Sequence, residues 1–339
     1  MQLIRQPLTK ADDAITACIE PDDALAVSSL LQQAAQSSQK PLSPLASLEV
    51  RAVPGCGSGL FATVAYAPGD VLLREWPLII APDSLSTVEP FLRKAYDALS
   101  VRARLLVMSA SRSRTGKDGL VQRFEDNAFS LQSLQSERLT KPYAAFYPRA
   151  ARLNHSCKPC AAFCISSSTL EISIRAIKSI QTGEEVTISY LSHEKLLQPR
   201  FERREAIRAH RRFECICELC QSADAASDAR LAQVARSLET IADWHTEELP
   251  PLDVIRLIGR VMDLLRTEAQ AYGVPSLCID AMDAAATVGD VALTKAWGSR
   301  AMASWSIWEG VDSPACQATQ AILQDPASHE LWNTYETVL

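Results

Sequence analysis

The chain has 339 residues, of which 47% are hydrophobic and 22% are charged. This balance is ordinary for a globular protein, and the length favours more than one domain. No apolar run approaches the roughly 18 residues of a membrane helix, the amino terminus has no signal-peptide core, and a net charge of −6 disfavours nucleic acid as the main ligand. We therefore expect an intracellular protein, in the nucleus or the cytoplasm, with no membrane binding and no direct nucleic-acid binding.

Residues 1–47 are predicted to form a weakly helical arm. Asp22 and Asp23 are suitable residues to begin a helix. The apolar face of that helix would comprise Leu25, Leu30, Leu31 and Ala34. From residue 48 onward, short apolar runs alternate with Pro-Gly pairs, a pattern typical of short strands and turns.

Residues 83–140 are predicted to form a mostly helical insert, and short strands are expected to resume after it. The buried face of the insert would include Leu99, Leu105, Leu106 and Met108. The later strands are predicted at Ala161–Ile165, Leu170–Ile174 and Glu185–Tyr190.

The last third of the sequence is predicted to be entirely helical. Amphipathic stretches rich in alanine and leucine lie near residues 228–242, 252–271, 276–287, 290–308 and 312–324. Their lengths are typical of paired helical repeats, so we expect helical hairpins of a tetratricopeptide-like kind. Such a domain could carry a protein partner.

The cysteines are unevenly distributed, and their spacing indicates a metal site. Six of the ten lie between residues 157 and 220, and Cys215, Cys217 and Cys220 fall within six residues. Without a secretory signal, such clustering favours metal binding over disulfides. Structural zinc takes four ligands, so a fourth must come from elsewhere. Cys157 is the preferred candidate, with Cys160, Cys164 and His210 as alternatives, and buried apolar cysteines are the competing interpretation. Four further cysteines stand alone and are expected to be buried: Cys18, Cys56, Cys278 and Cys316.

Three further segments are ambiguous when each is taken alone. The sequence Asn154-His155-Ser156 precedes Cys157, but a histidine there is more often structural than catalytic. The glycines of residues 55–62 permit close backbone approach to a ligand, although they lack the spacing of an ATP or NAD loop. Residues 183–190 form a turn and a strand that ends on Tyr190.

Taken together and in order, these segments resemble the SET-domain family of protein-lysine methyltransferases, most closely its SET-and-MYND branch. The resemblance rests on four motifs: GCGSGLFAT followed by PGDVLLREWPLI, FYPRAARLNHSCKPCAAF, GEEVTISYL, and ERREAIRAHRRFECICELC. Residues 125–129 also resemble a recurrent segment of the insert. No cysteine-rich finger of the MYND type interrupts residues 60–140, so partner recognition through such a finger is not expected.

The resemblance implies an α+β fold with four parts. These are an N-terminal helical arm (1–47), a SET domain of short strands in small sheets (48–195), a zinc-binding post-SET segment (196–222) and a helical C-terminal domain (223–339). In SET folds the Asn-His segment passes beneath a loop as a pseudoknot, which would bring residues 154–155 beside residue 190.

The resemblance also implies S-adenosylmethionine as methyl donor, a structural zinc ion and a protein substrate with an accessible lysine. Tyr190 would lie where the methyl group meets the substrate amine. The cofactor would be bound by Gly57, Ser58, Gly59, Leu60, Asn154, His155, Tyr190 and Phe213. Zinc would be bound by Cys157, Cys215, Cys217 and Cys220.

The sequence departs from the family at two positions, and a second function class stays open. Ser58 occupies a position that is usually basic in the family, and Cys160 stands where asparagine is frequent. The alternative function is a non-catalytic adaptor that binds partners through the helical tail. A zinc hydrolase is not favoured, because a thiol-rich site leaves no open position for water.

One basic run and three histidines are expected to lie on the surface. The arginines of residues 200–212 alternate with Glu202 and Glu205, which favours a solvated helix with ion pairs over a nucleic-acid surface. The three histidines without an evident partner are interpreted as surface residues: His193, His210 and His245.

Overall fold

The computed structural model describes residues 2–7, 14–37, 47–83, 89–111, 119–131, 142–222, 224–244 and 249–335. Parts of the predicted arm and insert, and His245, lie outside these residues. The strands are β1 (Gln2–Pro7), β2 (Ala14–Ile19), β3 (Leu48–Val53), β4 (Gly57–Ala62), β5 (Val71–Glu75), β6 (Ile79–Pro82), β7 (Phe129–Ser130), β8 (Tyr143–Phe146), β9 (Asn154–His155), β10 (Ala161–Ile165), β11 (Ile172–Ala176) and β12 (Glu185–Ile188).

The helices fall into an N-terminal helix, a group of three in the insert, and a series that runs from residue 193 to the carboxyl-terminal region. They are α1 (Ala24–Ser37), α2 (Glu89–Asp97), α3 (Val101–Met108), α4 (Gly119–Asn127), α5 (His193–Leu196), α6 (Arg200–Arg211), α7 (Glu218–Gln221), α8 (Ala225–Ala242), α9 (Pro251–Thr267), α10 (Val274–Thr287), α11 (Val291–Trp308) and α12 (Pro314–Gln324). None of the helices in the described ranges is long and apolar enough to span a membrane.

The described strands form three small sheets, so the fold is α+β as predicted. One sheet has the order β1-β2-β6-β8-β7, the second β10-β11-β5 and the third β3-β4-β12-β9. Most neighbours are antiparallel, but β9 runs parallel to β12, and β2 runs parallel to β6. A parallel pair needs a long connection, so the β9–β12 pair joins segments that are distant in sequence.

The N-terminal segment differs from the helical arm that the sequence predicted. β1 and β2 pair as an antiparallel hairpin before α1 begins, and every residue of β2 is buried. The predicted helix is present as α1, with Leu30, Leu31 and Ala34 buried, but Leu25 is 87% exposed. The arm is therefore part of the sheet core rather than a separate helix.

The buried face of the insert was predicted correctly only in part. Leu99 is buried between α2 and α3, whereas Leu105 is 66% exposed and Met108 is 39% exposed. The apolar residues of α3 are spread around the helix, so their spacing does not define one face. Ala103 and Val107 are the residues of α3 that enter the core.

The C-terminal helices α8 to α12 correspond to the five stretches that were predicted to be helical, although α9 ends at Thr267 and not near residue 271. They enclose their own core, which includes Ile258, Val261 and Trp297. Their arrangement as tetratricopeptide-like hairpins stays a prediction.

A smaller cluster joins this helical region to the strand region. It contains Cys157 and Ile207 on one side and Tyr272 on the other, with Trp308 packed against it. Gln270, which follows α9, donates a buried hydrogen bond of 2.7 Å from its side-chain amide to the carbonyl of Cys157.

Candidate functional site

The parallel pairing of β9 with β12 builds the centre of the candidate site. Asn154 lies opposite Thr187, and His155 lies opposite Ile188. Tyr190 follows Ile188 by two residues along the chain. The adjacency of residues 154–155 and 190 that the family resemblance implied is therefore present in the fold.

Glu75 supports the turn that leads into β9. Its fully buried carboxylate accepts hydrogen bonds from the backbone N–H groups of Arg149 and Ala150 at 2.9–3.0 Å. These groups lie at the start of the single helical turn Ala150–Arg152, whose free N–H groups need acceptors. Burial raises the pKa of Glu75 to about 7, although the two backbone donors oppose this shift.

The side chain of Asn154 faces strand β4. Its amide nitrogen donates to Glu185 Oε1 at 2.7 Å and to the carbonyl of Ser58 at 3.3 Å. Gly59 is tightly enclosed here, because a Cβ atom on it would lie 2.3 Å from Glu185 Oε1 and 2.9 Å from Asn154 Nδ2. The Gly57–Leu60 backbone and Asn154 thus lie side by side.

His155 has one defined tautomer in this arrangement. Its Nδ1 accepts a hydrogen bond from the backbone N–H of Tyr190 at 3.0 Å, and its Nε2 lies 3.3 Å from Cys157 Sγ. Burial lowers the pKa of His155 to about 4, so the ring is neutral and carries its proton on Nε2. His155 therefore fixes the backbone at Tyr190 and does not act as a charged group.

Tyr190 is held by its hydroxyl group as well as by its backbone. The hydroxyl donates to the carbonyl of Leu153 at 2.5 Å. Burial raises the pKa of Tyr190 to about 12, so the phenol stays protonated at neutral pH. Its oxygen keeps lone pairs that can accept contacts from another group.

Phe213 is presented to the site by the end of α6. Arg212 closes that helix in the left-handed conformation, with φ at 60°, and the chain then leaves the helix axis. Phe213 is 37% exposed, and its ring centroid lies 6.3 Å from that of Tyr190 and 6.4 Å from that of His155. Three aromatic rings thus lie close together, and the ring of Phe213 is partly exposed.

The four predicted zinc ligands form one compact cluster. The Sγ atoms of Cys157, Cys215, Cys217 and Cys220 all lie within 4.8 Å of one another. Cys157 Sγ is 3.9 Å from Cys215 Sγ and 3.5 Å from Cys220 Sγ. Zn–S bonds of about 2.3 Å place tetrahedral sulfurs roughly 3.8 Å apart, so the donor set fits zinc.

The alternatives for the fourth ligand lie elsewhere. Cys160 is buried against β12, where its sulfur accepts from the backbone N–H of Thr187 at 3.2 Å. Cys164 and His210 are also outside the cluster. Of the cysteines predicted to be buried alone, Cys56 is only half-buried.

A cavity of about 480 Å³ opens beside Tyr190, and most of its walls were missed by sequence reasoning. The strand region contributes Phe163 and Tyr190, the insert Asn127 and Phe129, the end of α6 Arg211, and the helical tail Tyr272 and Trp308. The resemblance at residues 125–129 was the only sequence signal for this wall. Four separate parts of the chain meet here.

Two surface interpretations require correction at this cavity. His193 is half-buried and lines the cavity, with its Nε2 atom buried, whereas His210 is exposed as predicted. The basic run does form ion pairs, Arg200 with Asp228, Arg204 with Glu214 and Arg208 with Glu205. Arg211, however, turns inward and lines the cavity.

Comparison with known proteins assigns this part of the chain to a family. Residues 57–191 match the family model described as SET domain. Histone-lysine N-methyltransferase set5 of Schizosaccharomyces pombe is 22% identical over 285 residues, which cover 82% of this chain and 84% of that protein.

Two relatives of the SMYD type match a shorter stretch. Histone-lysine N-methyltransferase SMYD3 of Mus musculus is 33% identical over 36% of this chain and 29% of its own length. N-lysine methyltransferase SMYD2 of Homo sapiens is 32% identical over 32% of this chain and 24% of its own length. The alignments thus span less than a third of either SMYD protein. Residues 57–191 therefore form a SET domain, and the proteins similar to this chain include members of the SMYD branch.

Proposed function

We propose that this SET-domain protein transfers a methyl group from S-adenosylmethionine to lysine side chains of protein substrates. The observation that carries the proposal is the set of contacts around Tyr190, which itself lines the cavity. His155 accepts from the Tyr190 backbone, the Phe213 ring lies beside the Tyr190 ring, and the neighbouring Asn154 bonds to the carbonyl of Ser58. The names of the relatives support lysine as the acceptor.

The residues at the site suit S-adenosylmethionine. Gly57 has φ of +85°, a conformation that glycine adopts readily, and Gly59 leaves no room for a side chain. The half-exposed ring of Phe213 could stack on an adenine, and Asn154 could hold the amino-acid end. When bound, this donor would supply a methyl group on a positively charged sulfur.

The protein would act by position and by exclusion of water. A substrate amine must approach in line with the methyl group, and such alignment can supply on the order of 7–11 kcal/mol. The amine must also be neutral, whereas a free lysine has a pKa of about 10.4. The aromatic walls formed by Phe129, Phe163 and Tyr190 would favour the neutral form, because an apolar environment disfavours the ammonium.

Zinc would have a structural role in this account. Four thiolates at the observed distances would repel one another strongly without a cation. With four sulfur ligands the ion has no open position for substrate. A zinc ion bound to Cys157, Cys215, Cys217 and Cys220 would fix the β9 segment against the end of α6. It would thereby hold His155 near Phe213.

Tyr190→Phe tests the proposed function most simply. The substitution removes the hydroxyl that bonds to Leu153 but keeps the ring, so we expect methyl transfer to fall by about 100-fold while the protein stays folded. Transfer of a labelled methyl group to core histones and to proteins of a cell extract would be measured. The matched control is Tyr335→Phe, at a 39%-exposed tyrosine outside the cavity, which should keep full activity.

Two outcomes would contradict the proposal. Full activity of Tyr190→Phe would remove this residue from the mechanism. A folded wild-type protein that labels no acceptor would favour the adaptor function. The histone or non-histone identity of the substrate, and a nuclear or cytoplasmic location, stay predictions.

A further inference from the structure

Arg211 brings a permanent positive charge to the wall of the candidate acceptor site. It is the last residue of α6, and the left-handed turn at Arg212 follows it. Its guanidinium carbon lies 5.3 Å from the centroid of the Tyr190 ring. A cation at this distance from an aromatic ring is held favourably, so the charge is fixed beside the group that would orient the acceptor amine.

Arg211, like the buried Arg203, has no carboxylate against it, unlike the other three arginines of α6. Arg200, Arg204 and Arg208 each form an ion pair. Among the described residues, no carboxylate oxygen lies within 4.0 Å of the Arg211 guanidinium. It donates instead to the backbone carbonyl of Asp126 at 3.4 Å, so its charge is not neutralised by direct contact.

The histidines and tyrosines around the cavity carry no negative charge that would offset the guanidinium. His155 accepts the backbone N–H of Tyr190 at its Nδ1 atom, and burial lowers the pKa of His193, so the His193 ring is neutral at pH 7. Burial also raises the pKa values of Tyr190 and Tyr272, and both stay protonated.

The acidic and thiol groups near the cavity have other contacts. The Asp126 carboxylate, on the insert wall, accepts a hydrogen bond from the Gln122 amide at 2.8 Å. Beyond Tyr190, Glu185 is bonded to Asn154, and burial keeps the Cys56 thiol protonated by raising its pKa. Arg203 is also close enough to His155 to disfavour a positive charge on that ring, as Arg211 does, whereas Cys217 favours it.

We propose that Arg211 is a specificity-determining residue that makes the site select an uncharged amine and reject an ammonium. This inference rests on the proposed function. The lone pair of a neutral amine would form the new N–C bond while the C–S bond breaks and its electron pair stays on sulfur, so the positive charge passes to nitrogen. An ammonium has no lone pair, and in this site it would face both the donor's sulfonium and the guanidinium. Two like charges in a partly buried site repel much more strongly than in water.

The donor itself provides a probe of this charge without any acceptor. S-adenosylmethionine and S-adenosylhomocysteine differ by the methyl group and its positive charge, so the ratio of their dissociation constants reports the local potential. We expect Arg211→Gln to strengthen binding of S-adenosylmethionine relative to S-adenosylhomocysteine by about tenfold. Arg211→Lys keeps the charge and should keep the wild-type ratio. Arg208→Gln is the matched control, because it removes one charge from the same helix outside the cavity.

The outcomes separate this inference from the function on which it rests. Arg211→Gln that binds both ligands with an unchanged ratio would overturn the role of Arg211 and leave the methyltransferase proposal intact. A wild-type protein that binds neither ligand would overturn both. A loss of folding in Arg211→Gln, seen by thermal melting, would move the test to Arg211→Met, with the same expected change in ratio.

A pH profile gives a second readout that a purely structural role would not change. The profile of kcat reports the ionisation of groups in the complex with substrate. Without the guanidinium, the pKa of the bound amine rises, so the neutral amine is formed only at higher pH. With core histones as acceptor, Arg211→Gln should move the rise of kcat upward by about one pH unit, and Arg211→Lys should not. Equal profiles for all three proteins would contradict the proposal.

Discussion

Strand β4 passes Asn154 so closely at Gly59 that there is no room for a side chain. In Gly59→Ala the new Cβ would lie 2.3 Å from Glu185 Oε1 and 2.9 Å from Asn154 Nδ2. Either the hydrogen bond between these two side chains breaks or the strand moves. We therefore expect Gly59→Ala to weaken S-adenosylmethionine binding by about tenfold or more, a loss of at least about 1.4 kcal/mol, as measured by calorimetry.

Gly259→Ala is the control for this residue-scale prediction. Gly259 lies inside helix α9, and no heavy atom is within 4 Å of its Cβ position. Alanine should raise the free energy of unfolding by about 1 kcal/mol there and leave cofactor binding unchanged. Equal cofactor affinity in Gly59→Ala and the wild type would show that this close approach has no functional role.

At the scale of single residues, the sequence identified the centre of the candidate site but not its walls. Asn154, His155 and Tyr190 were found because they stand in recognisable motifs. Arg211 was interpreted as part of a solvated helix, since charge alternation describes the face of a helix but not what its last turn meets. His193 was wrongly predicted to lie on the surface, because it packs near Tyr272, which is distant in sequence.

The segment that runs from the end of α6 to α7 contains three of the four clustered cysteines, so its structure depends on the cluster. Cys217 contributes to it twice, since its sulfur is one of the four clustered thiols and also accepts from the backbone N–H of Cys157 at 3.4 Å. Cys217→Ser should therefore lose about one equivalent of zinc and much of the stability of the folded chain, because metal binding contributes to folding. Elemental analysis and thermal melting measure the two effects.

Cys316→Ser is the matched control for the metal site. Cys316 is buried in α12 and is not part of the cluster, so its substitution should leave the metal content unchanged. Full zinc content in Cys217→Ser would reject the assignment of this cysteine as a ligand. Absence of zinc from the wild-type protein would reject the metal site altogether.

At the scale of elements, prediction succeeded where local signals were strong. Helices α8, α11 and α12 begin after capping residues, Asp224, Asp290 and Ser313, whose side chains accept backbone N–H groups. β2 gave no such signal. Its six residues are all buried, and a short apolar run of this kind cannot be distinguished from part of a helix by periodicity.

At the scale of the whole molecule, the candidate site is completed by the helical tail. Tyr272 and Trp308 pack edge to face with ring centroids 4.6 Å apart, and both line the cavity. Gln270 bonds to Cys157 beside the metal cluster. Such contacts between distant segments depend on tertiary packing, so the sequence predicted the helices of the tail but not the cavity that two residues of the tail help to line.

The proposed methyl transfer requires that these segments together form a binding site for S-adenosylmethionine. Calorimetric titration of S-adenosylmethionine into the purified, zinc-loaded full chain tests this claim most directly, with Asn154→Ala as the comparison because it removes the bonds to Ser58 and Glu185. We predict saturable binding of one equivalent to the wild-type protein and loss of that binding in the variant. A folded wild-type protein that shows no binding at millimolar cofactor would contradict the account.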